Sequence, residues 1–600
     1  LSYLLALKGD APNADTLEQA LLLHTGQQHN HRDHTTLGTL FSSLDIATSG
    51  VQVAQLGLDI TGHNIANVNT EGFSRQRVEL ATRLPITKPF GQIPRGVAVQ
   101  RIDRLRDTFL DDAFRETVPG LGAAEVTDRF FSQIEAIFLE PTENSFSTRL
   151  NNFFESVNDF ATNPELIPSR EAVISEAESL SETFLTTTER LNELRTDANN
   201  QVIAITEEIN SIAGQIAQLN DRIRPLEAGS QRANDLRDDR DLLIDELSRL
   251  VEVSTAENDA GEINVVIANE QLVVGSRSFG LETVNDPSID PDRGDLVRVQ
   301  FVRNGRQLNP RTGELRAALE VRDTIIPNID ADIDTMASNL ILEFNRIHSN
   351  ANGLENFTSL TGGNAVDDPA VPLNAAGLGF PVTPGSFDIN VHDDSTGTIA
   401  ATTININAAT SLNDLAADLN AVGNLTASVV NGRLQIDSAP GFSFTFANDD
   451  TDALAATGTN VLFDGFDASD IAVNGTIANN PQFLASAFDL DPAATGDNSA
   501  ALALADLQNA DLFNGGSADI NEFFEATLTE IATDARANAN QREVEQAFVD
   551  DFNSRRQEVS GVNLDEEVTN LVIFQRSFEA SARVISVANS MLDTLINGTR

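Results

Sequence analysis

The sequence predicts a mainly α protein with β insertions, an elongated multi-domain chain of nested topology. Its N- and C-terminal helices pair as a coiled coil. A long-helix bundle forms the body, and a β-rich outer domain is inserted into that body. Three observations predict this. Apolar residues at heptad spacing run through both ends of the chain, a longer heptad stripe fills 173–223, and residues 356–500 turn rich in Asn, Asp, Thr, Gly and Ala with short alternating apolar runs.

At the N-terminal end, Leu40, Leu44, Ala47, Val51, Ala54 and Leu58 hold 4-3 spacing, with Ile46, Val53 and Ile60 as a second row. A helix with two apolar rows must bury more than one face. The Asn- and Gly-dense run HNIANVNTEGF ends this helix near Gly62. Pro85, Pro89, Gly91, Pro94 and Gly96 then make 72–105 extended and turn structure. From Val173 to Ile223 the stripe holds 4-3 spacing but for one repeated step of four at Gln201, Ile205 and Ile209, with Pro168 and Ser169 as a start signal and Pro225 as a stop. Such a helix packs as a bundle member of the same chain. Leu243, Leu247 and Leu250 mark another amphipathic helix over 239–250. Residues 261–275 and 295–308 read as hairpins, the second turning at Asn304-Gly305. Helix returns over 328–348 through Ile329, Ile333, Met336, Leu340, Phe344 and Ile347.

In the 356–500 block, SFDINVH, ATTININA, TASVVNGRLQI and FSFTFAND alternate as strands, Asn431-Gly432 is a hairpin turn, and Ser411 caps a brief helix over 411–422. Residues 500–556 are helical. The C-terminus then repeats the N-terminal device: Leu564, Val568, Leu571, Gln575, Phe578, Ala582, Ile585, Asn589, Leu592 and Ile596 keep 4-3 spacing. The polar members Gln575 and Asn589 are candidates to fix register. The expected segments are therefore a tail at 1–36, a coiled-coil N-terminal part at 37–105, a helical body at 106–355 with hairpins near 255–310, the outer insertion at 356–500, a helical return at 501–556, and the C-terminal part at 557–600. The tail begins without Met and holds His24, His29, His31 and His34. It reads as a metal-binding tail, a flexible tail, or an over-extended start.

Charge excludes several functions. The 600 residues carry a net charge of −51, a field that repels phosphate backbones, so nucleic acid is not an expected partner. Its distribution is uneven. Residues 37–105 sum to +2 and 557–600 to −3, leaving −48 on 106–556. Subunits that stack through their ends cannot carry large like charges there, whereas an acidic body suits the solvated outside of an assembly. The chain has no cysteine, so disulfides, thiol nucleophiles and Cys-ligated metals are ruled out. No apolar run is long enough for a membrane span, and the start lacks the features of a cleaved secretory signal. HExxH, GxSxG and P-loop patterns are absent, and outside the tail only His63, His348 and His392 remain, far apart. The segment DPDRGD (290–295) lacks the later ligands of a calcium loop. No catalytic site, cofactor site or metal site is expected.

Several segments carry a resemblance. GTLFSSLDIATSGVQVAQLGLDITGHNIANVNTEGFSRQRVEL (38–80), with Asn64-Ile65-Ala66-Asn67, Thr70, Gly72, Phe73 and Arg75, resembles the N-terminal segment of the bacterial flagellar axial proteins. SGVNLDEEVTNLVIFQRSFEASARVISVANSMLDTLING (560–598) is similar to their C-terminal segment. Residues 234–253 and 313–353 resemble the helical body of the hook-associated members. The insertion at 356–500 carries no recognised motif, and family chains begin near Gly38. The resemblance implies a structural, non-enzymatic protein of the flagellum, located outside the cell after export through the flagellar type III apparatus. Its implied partners are copies of itself in a ring at the hook tip, hook protein, the second hook-associated protein, and a cytoplasmic export chaperone on the C-terminal helix. The expected polymerisation interface comprises Leu40, Leu44, Val51, Leu58, Asn64, Asn67, Gly72 and Phe73 with Leu564, Val568, Leu571, Gln575, Phe578, Ile585, Asn589, Leu592 and Ile596. Alternatives are another flagellar axial protein or an extracellular coiled-coil adhesin.

Overall fold

The computed structural model describes residues 33–89, 91–138, 145–229, 231–489 and 496–598. Helix α1 spans Asp33–Ala66. Its first residues fall within the stretch expected to be a tail, and residues 1–32, with His24, His29 and His31, lie outside the described residues. A two-stranded antiparallel ribbon follows, β1 (Gln76–Thr82) against β4 (Val97–Arg104), tipped by a small hairpin of β2 (Ile86–Lys88) and β3 (Gly91–Ile93). This agrees with the proline- and glycine-marked extended reading.

The body is built on four helices: α2 (Thr108–Phe138), α3 (Phe146–Thr162), α4 (Ile167–Glu227) and α5 (Asn234–Leu250). Helix α4 is 61 residues long, roughly 90 Å at about 1.5 Å per residue. Its 4-3 stripe is buried from Val173 to Ile223, save for the half-buried Gln201. Pro225 lies inside its last turn rather than ending it. A proline there removes one backbone donor, which a final turn tolerates better than a helix interior does. Helix α2 runs through Pro119, Gly120 and Gly122. A Cβ at Gly122 would sit 2.7 Å from the Arg249 carbonyl oxygen, so the glycine is what lets α5 approach.

Strands β5 (Val253–Glu257), β6 (Ile263–Ile267), β7 (Glu270–Val274) and β8 (Arg277–Ser278) form one antiparallel sheet. Strand β9 (Leu281–Asn285) pairs with β10 (Val297–Phe301). The hairpin expected over 295–308 is thus corrected in part. The turn at 304–305 forms and Leu308 N–H reaches the Val299 carbonyl at 2.8 Å, but the main partner of β10 is the more distant β9. Helix α6 (Glu314–Glu320) continues through a wider π turn at 321–325 into α7 (Ile326–Ser349). In the insertion, β11 (Ser359–Thr361), β14 (Leu425–Val430) and β15 (Arg433–Ser438) make one sheet, and β12 (Gly385–Asp393), β13 (Thr398–Ile406) and β16 (Phe442–Ala447) make another. Helix α8 (Leu412–Asn420) starts from a capping box at Ser411 and Asp414. The chain returns through α9 (Ser499–Asp506) to α10 (Ile520–Ser560) and α11 (Leu564–Gly598). Helix is therefore broken between 509 and 520 within the expected helical return.

One apolar core runs from α2 through α4 and α7 into the insertion. Phenylalanine fills it where other proteins use Trp or Tyr. Phe146 contacts Phe184 at 4.9 Å and Phe524 at 4.7 Å, and Phe344 contacts Phe153 at 5.6 Å and Phe463 at 5.5 Å. Asparagine supplies the polar joints. Asn210 accepts from Leu281 N–H at 2.7 Å and donates to the Leu281 carbonyl at 2.8 Å. Asn220 grips Ile263 in the same way, and Asn345 grips Phe463. Each carboxamide pairs like a strand edge, so a helix holds a strand without a neighbouring strand. Arg170, fully buried, donates to the carbonyls of Pro164 and Leu484 and to Ser486 Oγ, tying α4 to the end of the insertion.

A buried histidine and a half-buried aspartate titrate oppositely. His348 bonds the Asn460 carbonyl through Nδ1 and accepts Ala485 N–H at Nε2, and burial lowers its pKa to about 4. Its stabilising share is complete above its ordinary value of 6.5 and is lost as pH falls through about 4. Asp334 is raised to about 6 by burial and by Asp330 and Asp467. Its contribution is favourable at low pH and is lost as pH rises from 3.8 through 6. Asp334→Asn is therefore expected to raise stability in urea at neutral pH and to lose that gain below about pH 4. Comparing variant with wild type at each pH cancels the His348 term. An equal gain at both pH values contradicts the assignment.

Candidate assembly interface

Helices α1 and α11 pack antiparallel, and their contact is built from small residues. A Cβ at Gly50 would stand 2.6 Å from Ser581 Oγ, and one at Gly57 would stand 2.5 Å from the Phe574 ring. Asn64 Nδ2 donates to Glu567 Oε2 at 3.2 Å. Positions 50, 57 and 64 thus meet 581, 574 and 567, one heptad per step on each helix. Ala54, Thr61, Asn64, Glu567 and Ala588 are buried along this line. Of the N-terminal stripe expected from hydropathy only Ala47 and Ala54 lie buried on this line, and its larger members flank it.

Of the residues singled out from the sequence, Leu40, Leu44, Val51 and Leu58 are half-buried flanks of α1. Leu571, Ile585 and Leu592 are the half-buried flanks of α11, while Leu564, Val568, Gln575, Phe578, Asn589 and Ile596 are exposed. Gln575 and Asn589 therefore do not fix the register of this pair. Asn64 and Glu567 are the buried polar residues there, with Glu567 2% exposed. Asn67 bonds the His63 carbonyl, and Phe73 meets His63 edge-on at 5.3 Å. Gly72 takes φ +76 in the turn, a conformation that favours glycine.

The Asn64 amide also grips Gln76, accepting its N–H at 3.0 Å and donating to its carbonyl at 2.9 Å. Arg75 Nε and Nη1 each reach a carboxylate at 2.6 Å, Glu567 and Glu566 respectively, and Arg75 N–H donates to the Ser560 carbonyl at 2.8 Å. Burial opposes the Arg75 charge, but the two glutamates outweigh it and raise its pKa. One turn thus locks α1, β1 and the α10–α11 junction together.

Beneath that turn lies an ionic lattice centred on α5, in the sequence NDLRDDRD (234–241). Ser74 donates twice to Asp238, from N–H at 3.0 Å and Oγ at 2.7 Å. Arg104 reaches Asp238 at 2.6 Å and Asp241 at 2.9 Å. Arg106 bridges Asp111 and Asp241, Arg115 bridges Asp241 and Asp245, and Arg556 bridges Asp111 and Asp245. Arg556 also stacks on Phe114 at 4.3 Å. Four guanidiniums face four carboxylates, all largely buried. Burial pushes the Asp241 pKa up, but Arg106, Arg104 and Arg115 hold it at about 2. At Asp238 burial prevails and the pKa rises. The lattice ties the ribbon, α2, α5 and α10 into one joint. A hydropathy reading sees only a charged, solvated helix face.

Outside the α1 contact, α11 presents Leu564, Val568, Val572, Ile573, Val584, Val587, Met591 and Ile596 to solvent, each 40–62% exposed. Covering them is worth on the order of 1 kcal/mol apiece. They surround the helix on every side but the α1 contact, and this much exposed apolar surface marks an interaction surface. Among the described residues no group of acids and histidines has the arrangement of a metal site, and no helix is long and apolar enough to cross a membrane.

Comparison with known proteins agrees with the terminal and central resemblances. The family model "Flagellar hook-associated protein FlgK helical domain" matches residues 131–364. "Flagella basal body rod protein" matches 44–73, and "Flagellar basal body rod FlgEFG protein C-terminal" matches 553–598. The chain is 27% identical over 574 residues to flagellar hook-associated protein 1 of Escherichia coli K12, covering 93% of this chain and 99% of that one. It is 24% identical over 566 residues to the protein of the same name from Bacillus subtilis 168, covering 93% and 98%. A solved structure, the flagellar hook junction protein FlgK from Burkholderia pseudomallei, aligns with a TM-score of 0.48 at 15% identity, covering 74% of this chain and all of that one.

Two outcomes are expected at this site. Asp241→Asn leaves Arg104, Arg106 and Arg115 short of a counter-charge and should cost about 3–5 kcal/mol in urea unfolding; a loss under 1 kcal/mol contradicts the lattice (about one surface pair). Gly57→Leu should separate α1 from α11 and abolish filament attachment, with partial recovery in Gly57→Leu/Phe574→Ala. Full attachment by Gly57→Leu alone contradicts the close approach.

Proposed function

We propose that the chain is a member of the flagellar hook-associated protein 1 family and, on that premise, a structural subunit of the bacterial flagellum. It joins hook to filament, and filament assembly and motility depend on it. Its role is mechanical rather than enzymatic. The observation that carries the reading is the apolar surface of α11 that its partner α1 leaves exposed.

Copies of the chain form a ring at the hook tip, with hook protein below and the second hook-associated protein above. The interface is made by the exposed face of α11 with Leu564, Val568, Phe578 and Ile596, and by the flanks of α1. Before assembly a cytoplasmic chaperone covers the same face of α11. The subunit leaves the cell unfolded through the flagellar type III apparatus, a route that suits a chain without disulfides. The near-neutral ends and the strongly acidic middle support this arrangement, since contact is made where repulsion is least.

The test is a charge on the open face. Val568→Asp or Val587→Asp, both on exposed positions of α11, should leave the body folded by circular dichroism and proteolysis, yet give hooks without filaments in electron micrographs. Cells that swim normally with either change contradict the interface.

A further inference from the structure

We propose that the ribbon β1–β4 with its β2–β3 tip is a docking arm that seats against the α10 helix of an adjacent copy of this chain. The inference rests on the assembly reading above and names a second surface within it. The arm is apolar and cationic in a chain that is otherwise anionic. Leu80 and Val99 are cross-strand partners, both exposed, and Leu84 and Ile86 continue the patch toward the tip, Leu84 at 87% exposure. Among the described residues Arg77 and Lys88 on this arm have no ion-pair partner. Nothing in its own molecule covers this surface, although Gly96 packs against Ser49 and Arg83 and Arg95 reach Asp45, anchoring the arm along α1.

The complement lies on the same chain. Helix α10 leaves Val544, Phe548 and Val559 exposed. At about 100° per residue these three fall within about 60° of one another, forming one stripe. Asp551 and Glu558 border it; Asp551 is paired at 2.9 Å with Arg555, which lies within the stripe, while Glu558 has no cation partner among the described residues and leaves the stripe net negative. Beside it, at the first turn of α2, Phe109 is 75% exposed. A contact between two different patches of identical chains is heterologous, and repetition of such contacts produces rings or tubes rather than closed dimers. One cationic apolar arm and one anionic apolar stripe per chain satisfy that requirement. Opposite charge at the rim orients the encounter, and the apolar pairs supply the affinity.

Because the chain has no cysteine, engineered pairs can be read without background. The full-length Leu84→Cys/Phe548→Cys variant is expressed in its own flagellated cells, and isolated flagella are oxidised. The expected result is a shift of the monomer band to a ladder of covalent dimers and higher multimers, absent from each single-cysteine variant. Variant present on flagella but unshifted overturns the docking arm while leaving the function standing. A pair of Leu84→Cys with Leu226→Cys, exposed at the end of α4, giving the same ladder also overturns it. Variant and wild type both absent from flagella overturns the assembly reading itself.

Discussion

The rest of the structure depends on how closely α1 and α11 approach. Gly50 and Gly57 leave no room for a side chain of their own, so the Ser581 hydroxyl and the Phe574 ring of α11 rest directly on the backbone of α1. A pair this thin buries a narrow line and turns the larger side chains outward. Leucine at those two positions would give a thicker pair that covers more of its own apolar surface. The glycines thus leave Val568, Val572, Val587 and Met591 without cover. The self-sufficient part of the molecule is elsewhere, around α4 and its phenylalanine-rich core.

Between the open ends and the closed body stands the arginine–aspartate lattice. Arginine suits such a site because its planar fork meets two carboxylates at once, as Arg106, Arg115 and Arg556 each do. With only two lysines in the chain, nearly all cationic work falls to arginine. A buried lattice adds less net stability than its contacts suggest, because desolvation consumes much of the attraction. What it gives is direction, since every fork has one geometry. A joint between an assembling end and a body needs that stiffness more than it needs additional stability.

Much of the architecture was legible in the residues, and the parts that were not share physical causes. The α4 stripe was readable because apolar side chains dominate a nearly regular 4-3 repeat from Val173 to Ile223. The seam of the terminal pair was not, because Gly50, Gly57 and Ser581 contribute nothing to hydropathy. Helix α1 outlasts the expected end at Gly62 and reaches Ala66, since Asn64 serves Gln76 and Glu567 from within the helix instead of breaking it. The partner of β10 was missed because local turn chemistry reveals a turn at Asn304-Gly305 but not a strand before it in sequence. The α5 lattice was hidden in plain charges whose counter-ions come from Arg104, Arg115 and Arg556, more than 100 residues away in each case. The recognisable motif around Asn64 and Glu567 is what these contacts look like in one dimension.

The central claim is that the terminal helix pair is completed only by neighbouring molecules. Hydrogen exchange of the purified protomer, compared with the same chain in isolated flagella, tests it most directly. The account predicts rapid exchange over 564–598 in the free protomer beside slow exchange over 173–223, with the former becoming slow in flagella. Equally slow exchange of both segments in the free protomer would contradict it.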